Sequence, residues 1–224
     1  MAVVGGKTRY PHVEDGEPAP WVGQRMTLDE FLDLPDVKPY LEYEDGVVRQ
    51  KVSPSYVHIT LQGFLYTTMN QAAKPGRRGI ARAAWRFATP DWAPTPDVSF
   101  YRRGRVKLQN GEPPDEMFEA PDIAVEIVSP GQTAGDQISK CLRYIRLGTT
   151  IALLIDPYRK AVFGFRPKQA LVEMRGDDRI NLDEVLPDFV LTVRELFDAV
   201  VADLAELADV DNDNAEAAPP SASQ

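Results

Sequence analysis

The alternation of apolar and polar residues along the chain predicts four helices. They cover residues 27–34, 55–73, 136–147 and about 192–207. The first begins at a capping box, Thr27-Leu28-Asp29-Glu30, in which the threonine hydroxyl and the Glu30 carboxylate can each satisfy a free backbone N–H. The third ends at Gly148, because glycine is the usual residue after a helix terminus.

Shorter apolar or alternating runs predict strands. They cover residues 40–43, 47–52, 80–87, 98–101, 122–128, 151–155, 161–165, 170–174 and 179–182. The first two flank Asp45-Gly46, which is a strong hairpin signal. Strand 122–128, helix 136–147 and strand 151–155 make a βαβ unit with a right-handed crossover. The sequence therefore predicts an α/β fold with a mixed β-sheet core flanked by helices and an N-terminal hairpin extension.

The two ends of the chain lack this periodicity. Residues 1–24 are rich in glycine and proline and predict a flexible arm, whereas residues 209–224 are acidic and then rich in Ala, Pro and Ser, and predict a disordered tail. The folded domain is expected over residues 25–208. A length of 224 residues suits one domain, and a hydrophobic share of 43% is enough for a core.

The composition narrows the location and the chemistry of the protein. No apolar run approaches the ~20 residues that cross a bilayer, and the N-terminus shows no secretory signal. The single cysteine, Cys141, excludes an internal disulfide and a cysteine-built zinc site. It lies on the apolar stripe of its helix, which indicates a core residue. We therefore expect a cytoplasmic location.

The net charge of −9 hides an uneven distribution. The chain has no Lys or Arg after Arg194, but it has six acidic residues from Asp203 onward. Without these six, the net charge is about −3. The segment 74–107 holds nine basic residues against two acids. Such a cluster is typical either of a solvated surface or of nucleic-acid contact. The candidates for substrate contact are Arg82, Arg86, Arg102 and Arg103.

Glu126 is the first candidate for chemistry, because it interrupts the apolar run Ile123–Val128. A buried carboxylate is costly unless a cation or hydrogen-bond donor compensates it. Several carboxylates with a lysine suggest a Mg²⁺ site for phosphodiester cleavage, since Mg²⁺ requires oxygen ligands and keeps several waters. The alternative is that Glu126 pairs with an arginine or lies where the strand is exposed.

Three more residues complete the candidate site, and each has an ordinary alternative. Asp97 follows Pro96 at the head of a strand, where aspartate is also common without any function. Glu42 lies in a hairpin with other acids and could belong to a solvated turn, or could bind a second ion. Lys140 borders the apolar stripe of its helix, where a lysine can orient water or offset phosphate charge, but it could also pair with Asp136 at i,i+4.

Other chemistries are less well supported. The chain has two histidines: His12 lies in the predicted arm, and His58 lies at a helix start, where a capping or packing role is more common than a ligand role. No Ser/His/Asp set and no glycine-rich phosphate loop of the usual spacing is present.

Several short motifs, taken in their order and spacing, resemble one family. They are Met26–Phe31, Tyr40–Gly46, Ser53-Pro54 with His58, Pro96-Asp97, Val125–Pro130, Asp136 with Lys140 and Tyr144, and Ile155-Asp156-Pro157. The chain resembles the Uma-type "putative restriction endonucleases", a family of the PD-(D/E)XK nuclease superfamily, over residues 26–165.

The resemblance implies a restriction-endonuclease-like fold, Asp97 and Glu126 as metal ligands, and Glu42 as an assisting acid. It also implies a homodimer. From the carboxylate ligands we expect Mg²⁺, replaceable by Mn²⁺, as the cofactor, and we expect DNA as the substrate. The superfamily motif places a lysine two residues after the second acid, but that position is Val128 here. The resemblance implies that in this family the lysine has moved to the following helix, where it would be Lys140.

Three hypotheses follow. The first is a metal-dependent DNA endonuclease with Glu42, Asp97, Glu126 and Lys140 as its catalytic residues. The second is a catalytically inactive module on the same fold that binds DNA or a protein partner, as Val128 and the acidic composition suggest. The third is a toxin or defence component that needs a partner, with the acidic tail as a DNA mimic or docking segment.

Overall fold

The computed structural model describes residues 18–216, and the side chains of residues 18–205. This part of the chain contains four helices: α1 (Leu28–Leu32), α2 (Tyr56–Ala73), α3 (Ala134–Arg146) and α4 (Val193–Glu216). It also contains nine strands: β1 (Leu41–Glu44), β2 (Val47–Gln50), β3 (Gly79–Ala83), β4 (Trp92–Ala93), β5 (Val98–Arg102), β6 (Ile123–Ile127), β7 (Ile151–Asp156), β8 (Ala161–Phe165) and β9 (Val172–Arg175).

Six of the strands form one mixed sheet in the order β3-β5-β6-β7-β8-β9. Strands β6 and β7 are parallel and are joined through α3, whereas the other neighbouring pairs are antiparallel. Every residue of β6 and β7 is buried, which is usual for parallel strands covered on both faces. The predicted βαβ unit and the α/β fold are therefore confirmed.

Helices cover both faces of this sheet. On one face, α2 places Leu61, Leu65 and Met69 against apolar side chains of β5 and β6, and α4 lies beside α2. On the other face, α3 packs Cys141 and Tyr144 against β6 and β7. Strand alternation directs Ile123, Val125 and Ile127 to the first face, and Ala124, Glu126 and Val128 to the second.

A second, three-stranded sheet has the order β2-β1-β4. The hairpin β1–β2 was predicted, whereas the two-residue strand β4 was too short to be recognised from the sequence. This sheet has its own apolar cluster, in which Leu41, Tyr43 and Val48 pack with Phe31 of α1. Leu41 and Tyr43 of β1 face this cluster, so strand alternation directs Glu42 to the other face of the hairpin.

Several predicted boundaries were wrong. Strand β3 ends at Ala83 because Ala84 has a left-handed φ of 49°, which turns the chain before Phe87. Residues 179–182 form no strand, since only Arg179 makes a bridge, to Thr192. On α3, Cys141 is buried as predicted, whereas its apolar neighbour Leu142 is 43% exposed and the polar Gln137 is buried.

The predicted termini need a similar correction. Residues 18–24 belong to the folded part, because Ala19 is buried and Gly23 N–H donates to the Val48 carbonyl. Helix α4 continues to Glu216 through residues 209–216 of the predicted tail, although this part is rich in Asp and Asn, which are weak helix formers. Residues 1–17, which include His12, and residues 217–224 lie outside the described part. No helix within residues 18–216 is long and apolar enough to cross a membrane.

The packing of α2 predicts a sharp contrast between two of its apolar residues. Leu65 is 1% exposed, whereas Ile59 is 55% exposed. Leu65→Ala should lower the free energy of unfolding by about 2–5 kcal/mol, because it leaves a cavity under the sheet. Ile59→Ala should change it by less than about 0.5 kcal/mol. Urea denaturation of both variants checks this, and equal losses would contradict the assigned helix face.

Candidate active site

Glu126 lies near the end of β6 and is 2% exposed. Its Oε1 accepts a hydrogen bond of 2.5 Å from the Tyr144 hydroxyl and lies 3.1 Å from Lys140 Nζ. Its Oε2 lies 3.9 Å from Lys51 Nζ. The buried charge is therefore compensated by two ammonium groups and one hydroxyl. Neither of the alternatives, an arginine pair or an exposed position, describes this residue.

Asp97 lies directly before β5 and is 3% exposed. One of its oxygens, Oδ2, accepts a 2.7 Å hydrogen bond from the backbone N–H of Ile127, which follows Glu126 in β6. The other, Oδ1, lies 2.6 Å from Lys51 Nζ and 3.3 Å from His58 Nε2. The antiparallel pairing of β5 and β6 thus brings the two predicted acids together, although they are distant in sequence.

Glu42 of β1 and Lys140 of α3 form the second half of the site. Lys140 Nζ donates to both carboxylate oxygens of Glu42, at 2.9 and 3.1 Å. The backbone N–H of Thr95 donates to the same carboxylate at 2.8 Å. Asp136, the alternative partner of Lys140, instead bonds Thr133 at the cap of α3. The structure therefore joins all four predicted residues into one network.

Lys51 and His58 are members of this network that the sequence analysis missed. Lys51 follows β2, and its Nζ also donates to the Thr95 carbonyl at 2.8 Å. The hairpin register contained a signal for it, because Glu42 pairs with Arg49 and residues 49 and 51 share one face. The His58 ring does not cap the helix. Its Nδ1 lies 2.8 Å from Ser129 Oγ, and its Nε2 lies 3.3 Å from Asp97 Oδ1.

The electrostatics of the three carboxyl groups differ. Burial raises the pKa of Glu126, and the charges of Lys140 and Lys51 only partly oppose that shift. Burial acts in the same direction on Asp97, but Lys51 and then His58 outweigh it and hold its pKa well below the usual range. The pKa of Glu42 is also lowered, because Lys140 and Lys51 outweigh its burial.

The basic and phenolic groups complete this charge pattern. Burial opposes the charged form of both lysines, but the surrounding carboxylates outweigh it and raise the pKa of Lys51 and of Lys140. Burial, followed by the charge of Glu126, raises the pKa of Tyr144 well above its usual value. Tyr144 is therefore a neutral donor, and both lysines carry a full positive charge at neutral pH.

The donor set fits a hard divalent cation that needs few protein ligands. Asp97 and Glu126 both face the ammonium of Lys51, so a cation in that position could contact both carboxylates. No group of three or more His, Cys, Asp or Glu side chains with the geometry of a metal site occurs in the described part. Mg²⁺ is commonly held by one or two carboxylates together with waters and substrate phosphates, whereas Zn²⁺ usually takes three or four protein ligands.

Two depressions flank the network and share Lys51, Val52 and Gln132 as a common wall. One, of about 300 Å³, is lined by the buried Asp97 and His58, and the other, of about 380 Å³, is lined by Glu42 and Lys140. Glu126 lines neither of these two depressions and is itself buried. Val128, the position at which the sequence resemblance leads one to expect a lysine, is buried against α3 and does not contribute a charge.

The four arginines that were predicted to contact substrate do not all lie on one surface. Arg82, Arg102 and Arg103 line one depression beside β3. Arg86 lies elsewhere, where it pairs with Glu116 at 3.4 Å and stacks 5.0 Å from the centre of the Phe31 ring. Arg102 is partly engaged, because it donates to the Glu184 carbonyl and lies 3.4 Å from Asp122.

A comparison with protein families gives one match. The Uma2 family, described as "Putative restriction endonuclease", matches residues 28–194. The chain belongs to this family. The Uma2 match covers every residue of the network described above, and the predicted family is therefore confirmed.

Solved structures agree with this Uma2 assignment. One of five chains that match is described as a crystal structure of a putative nuclease belonging to DUF820, from Anabaena variabilis. It is 31% identical, with a TM-score of 0.74, over 78% of this chain and 99% of that one. The nuclease-like fold is therefore shown. A comparison with curated proteins finds no match. The predicted homodimer and the cytoplasmic location stay predictions.

The opposite pKa shifts of Asp97 and Glu126 predict how acid destabilises the protein. Because the pKa of Asp97 is lowered on folding, its ionised form stabilises the fold above about pH 4, and this contribution is lost as the pH falls further. Asp97→Asn should therefore lose less stability between about pH 5 and pH 2. Glu126→Gln should lose more stability than the wild type over the same pH range. Because the pKa of Glu126 is raised on folding, its protonation stabilises the fold as the pH falls, and the variant lacks this contribution.

Urea denaturation at a series of pH values, in the presence of EDTA, measures both effects. Asp188→Asn removes an exposed carboxylate distant in sequence from the site and should keep the wild-type pH dependence. Identical pH slopes for all four proteins would contradict the assigned charge network.

Proposed function

We propose that the protein is a Mg²⁺-dependent DNA endonuclease. The observation that carries the proposal is the convergence of Asp97 and Glu126 on one point, with two lysine ammonium groups beside them. Phosphodiester hydrolysis requires an activated water, compensation of the phosphate charge and stabilisation of the leaving oxygen. The Uma2 family supports a nuclease, and its substrate class is then a nucleic acid.

Asp97 and Glu126 are the proposed ligands of the metal ion. The backbone N–H of Ile127 fixes the orientation of Asp97, and the Tyr144 hydroxyl fixes that of Glu126. When bound, Mg²⁺ would supply Lewis acidity to the phosphodiester and to water. Ligands held in place before binding lower the cost of assembling the site.

The two lysines have different proposed roles. Lys140 is anchored by two hydrogen bonds to Glu42, so its ammonium stays at a fixed distance from Glu126, where it can orient the attacking water or compensate the phosphate. It replaces the lysine missing at Val128. Lys51 lies between the two metal-ligand candidates, so a metal ion bound there would displace it toward the phosphate.

The competing hypothesis, a binding module without activity, rests on Val128. The lack of a lysine at Val128 is a weak argument for this hypothesis, because two lysines approach Glu126 from other elements, α3 and the segment after β2. Such a module would show salt-dependent DNA binding without turnover and without affinity for Mg²⁺ at millimolar concentration. Calorimetry with Mg²⁺ distinguishes the two.

Isosteric changes of the two acids test the proposed function. Asp97→Asn and Glu126→Gln should each lower the cleavage rate of plasmid and of single-stranded DNA in Mg²⁺ or Mn²⁺ by at least about 100-fold, because each removes a metal ligand. The measurement is an initial rate from gel electrophoresis, with EDTA abolishing cleavage by the wild type.

Asp122→Asn is the matched control for that experiment. Asp122 is also a 2% exposed carboxylate beside β6, but it bonds Arg102 N–H and Arg105 at the opposite end of the strand. Cleavage by this variant should stay within a fewfold of the wild type. Equal rates for all three variants would exclude the assigned site.

The position of Lys51 gives a second prediction. Lys51→Met should raise the affinity for Mn²⁺, because it removes a positive charge 2.6 Å from Asp97 that competes with the metal. A unit charge at about 4 Å is worth about 4 kcal/mol at an effective dielectric of about 20, so a gain of at least about tenfold is expected.

Calorimetric titration with Mn²⁺ measures this gain, and Lys140→Met serves as the comparison. Lys140 lies 3.1 Å from Glu126, but it does not pair with Asp97 and its ammonium is held by Glu42, so its removal should raise the affinity less than removal of Lys51, which faces both ligands. A lower Mn²⁺ affinity in Lys51→Met would contradict the shared position of the lysine and the metal.

A further inference from the structure

A continuous series of depressions runs along β3, the edge strand of the larger sheet, and begins at the candidate active site. The depression that Asp97 lines has Ala83 and Ala84 in its wall. The next, of about 480 Å³, shares these two alanines. A third, of about 830 Å³, shares Ile80 and Arg82 with the second. Neighbouring depressions thus have common walls from the site to the far end of the strand.

The far depression is basic and lacks compensating acids. Five cationic residues line it, and no Asp or Glu does: Lys74, Arg77, Arg82, Arg102 and Arg103. Among the described residues, no carboxylate within 4.0 Å pairs with any of them except Arg102. A group of unpaired cations in a chain of net charge −9 indicates a binding surface for an anionic ligand rather than a general excess of basic residues.

The middle depression is apolar. Trp85, Leu108, Pro113 and Pro114 form most of its wall, together with Ile80. Leu108 is 63% exposed, and the Trp85 ring is held edge-on against Tyr101. An apolar surface between a basic depression and a candidate phosphodiester site suits a ligand that alternates flat apolar groups with charges.

The edge of β3 itself is not free to pair with another strand. The outward N–H of Ala81 donates to the side chain of Asn70, and its carbonyl accepts from the same side chain, at 3.0 and 3.2 Å. Asn70 therefore occupies the place of a neighbouring strand, which disfavours strand addition here. The depressions on either side of this contact remain open.

We infer that this series of depressions is the path of a single-stranded polynucleotide that enters the active site. The inference rests on the proposed nuclease function, because it assigns the route of that enzyme's substrate. Phosphates lie on Lys74, Arg77, Arg82 and Arg103, and unstacked bases contact the apolar wall around Trp85 and Leu108. Basic grooves combined with apolar or aromatic platforms are typical of single-strand binding, since a duplex keeps its bases stacked inside.

The dimensions fit a few nucleotides. Gly79 pairs with Arg102 at the basic end, and Ala83 pairs with Val98, next to Asp97. At about 3.3 Å per residue the strand covers about 13 Å, which an unstacked single strand spans with only a few nucleotides. The basic depression therefore holds the backbone a few nucleotides from the bond that is cut.

Binding in EDTA tests this path without any cleavage. Fluorescence anisotropy with a labelled 15-mer of thymidylate and a 15-base-pair duplex compares wild type with Arg77→Ala/Arg103→Ala. The control, Lys168→Ala/Arg175→Ala, removes the same charge from exposed positions around β9, and Arg77 and Lys168 both have positive φ. A third variant, Leu108→Ser, changes only the apolar wall.

The wild type should bind the single strand more tightly than the duplex. Arg77→Ala/Arg103→Ala should weaken single-strand binding about 25-fold at 0.1 M salt and lower the salt slope by about 1.4, because each lost contact accounts for about 0.7. Leu108→Ser should weaken binding about threefold without changing the slope, as expected for an apolar contact. The control pair should bind like the wild type.

Three outcomes would overturn the inference: equal losses in the two double variants, tighter wild-type binding of the duplex, or unchanged binding in Leu108→Ser. The result is separable from the nuclease proposal. Normal cleavage with unchanged binding in Arg77→Ala/Arg103→Ala removes only the path. Weakened binding in a protein that never cleaves DNA leaves the path and removes the nuclease.

Discussion

The carboxylate of Glu126, buried inside a parallel pair of strands, is the constraint on which the site depends. A charge at this depth is destabilising unless cations reach it, and here Lys140 arrives from α3 and Lys51 from the hairpin side. Each lysine in turn needs a second acid, which Glu42 and Asp97 provide. The result is an alternating chain of acid and base, in which removal of one member leaves its neighbours uncompensated.

The sequence predicted the acidic residues of this network better than its basic residues. Glu126 and Asp97 are visible because they break or begin apolar runs, and Lys140 because it borders an apolar stripe. Lys51 carries no such signal: it extends a polar strand end, and only the hairpin register places it beside Glu42. His58 was read as a capping or packing residue, because its contact with Asp97 joins α2 to a strand that is distant in sequence.

The same limit applies to the fold. The helix α2 and the strands β6 and β7 were predicted nearly to the residue, because a helical pattern marks α2 and a continuous apolar run bounded by polar or turn residues marks each strand. The end of β3 depends on the left-handed backbone at Ala84, and β4 exists only because β1 offers it a partner. Contacts between elements decide such features, and a single sequence does not reveal which elements meet.

The small sheet has a consequence for the whole protein. Its hairpin presents Glu42 and leads directly into Lys51, and the hairpin's apolar cluster is separate from the clusters on the two faces of the larger sheet, which the small sheet joins through Trp92 of β4. Small satellite units of this kind can open while the rest of a protein stays folded. Local detachment of the hairpin would withdraw one acid and one ammonium together, so the integrity of the candidate site and global folding need not share the same thermal limit.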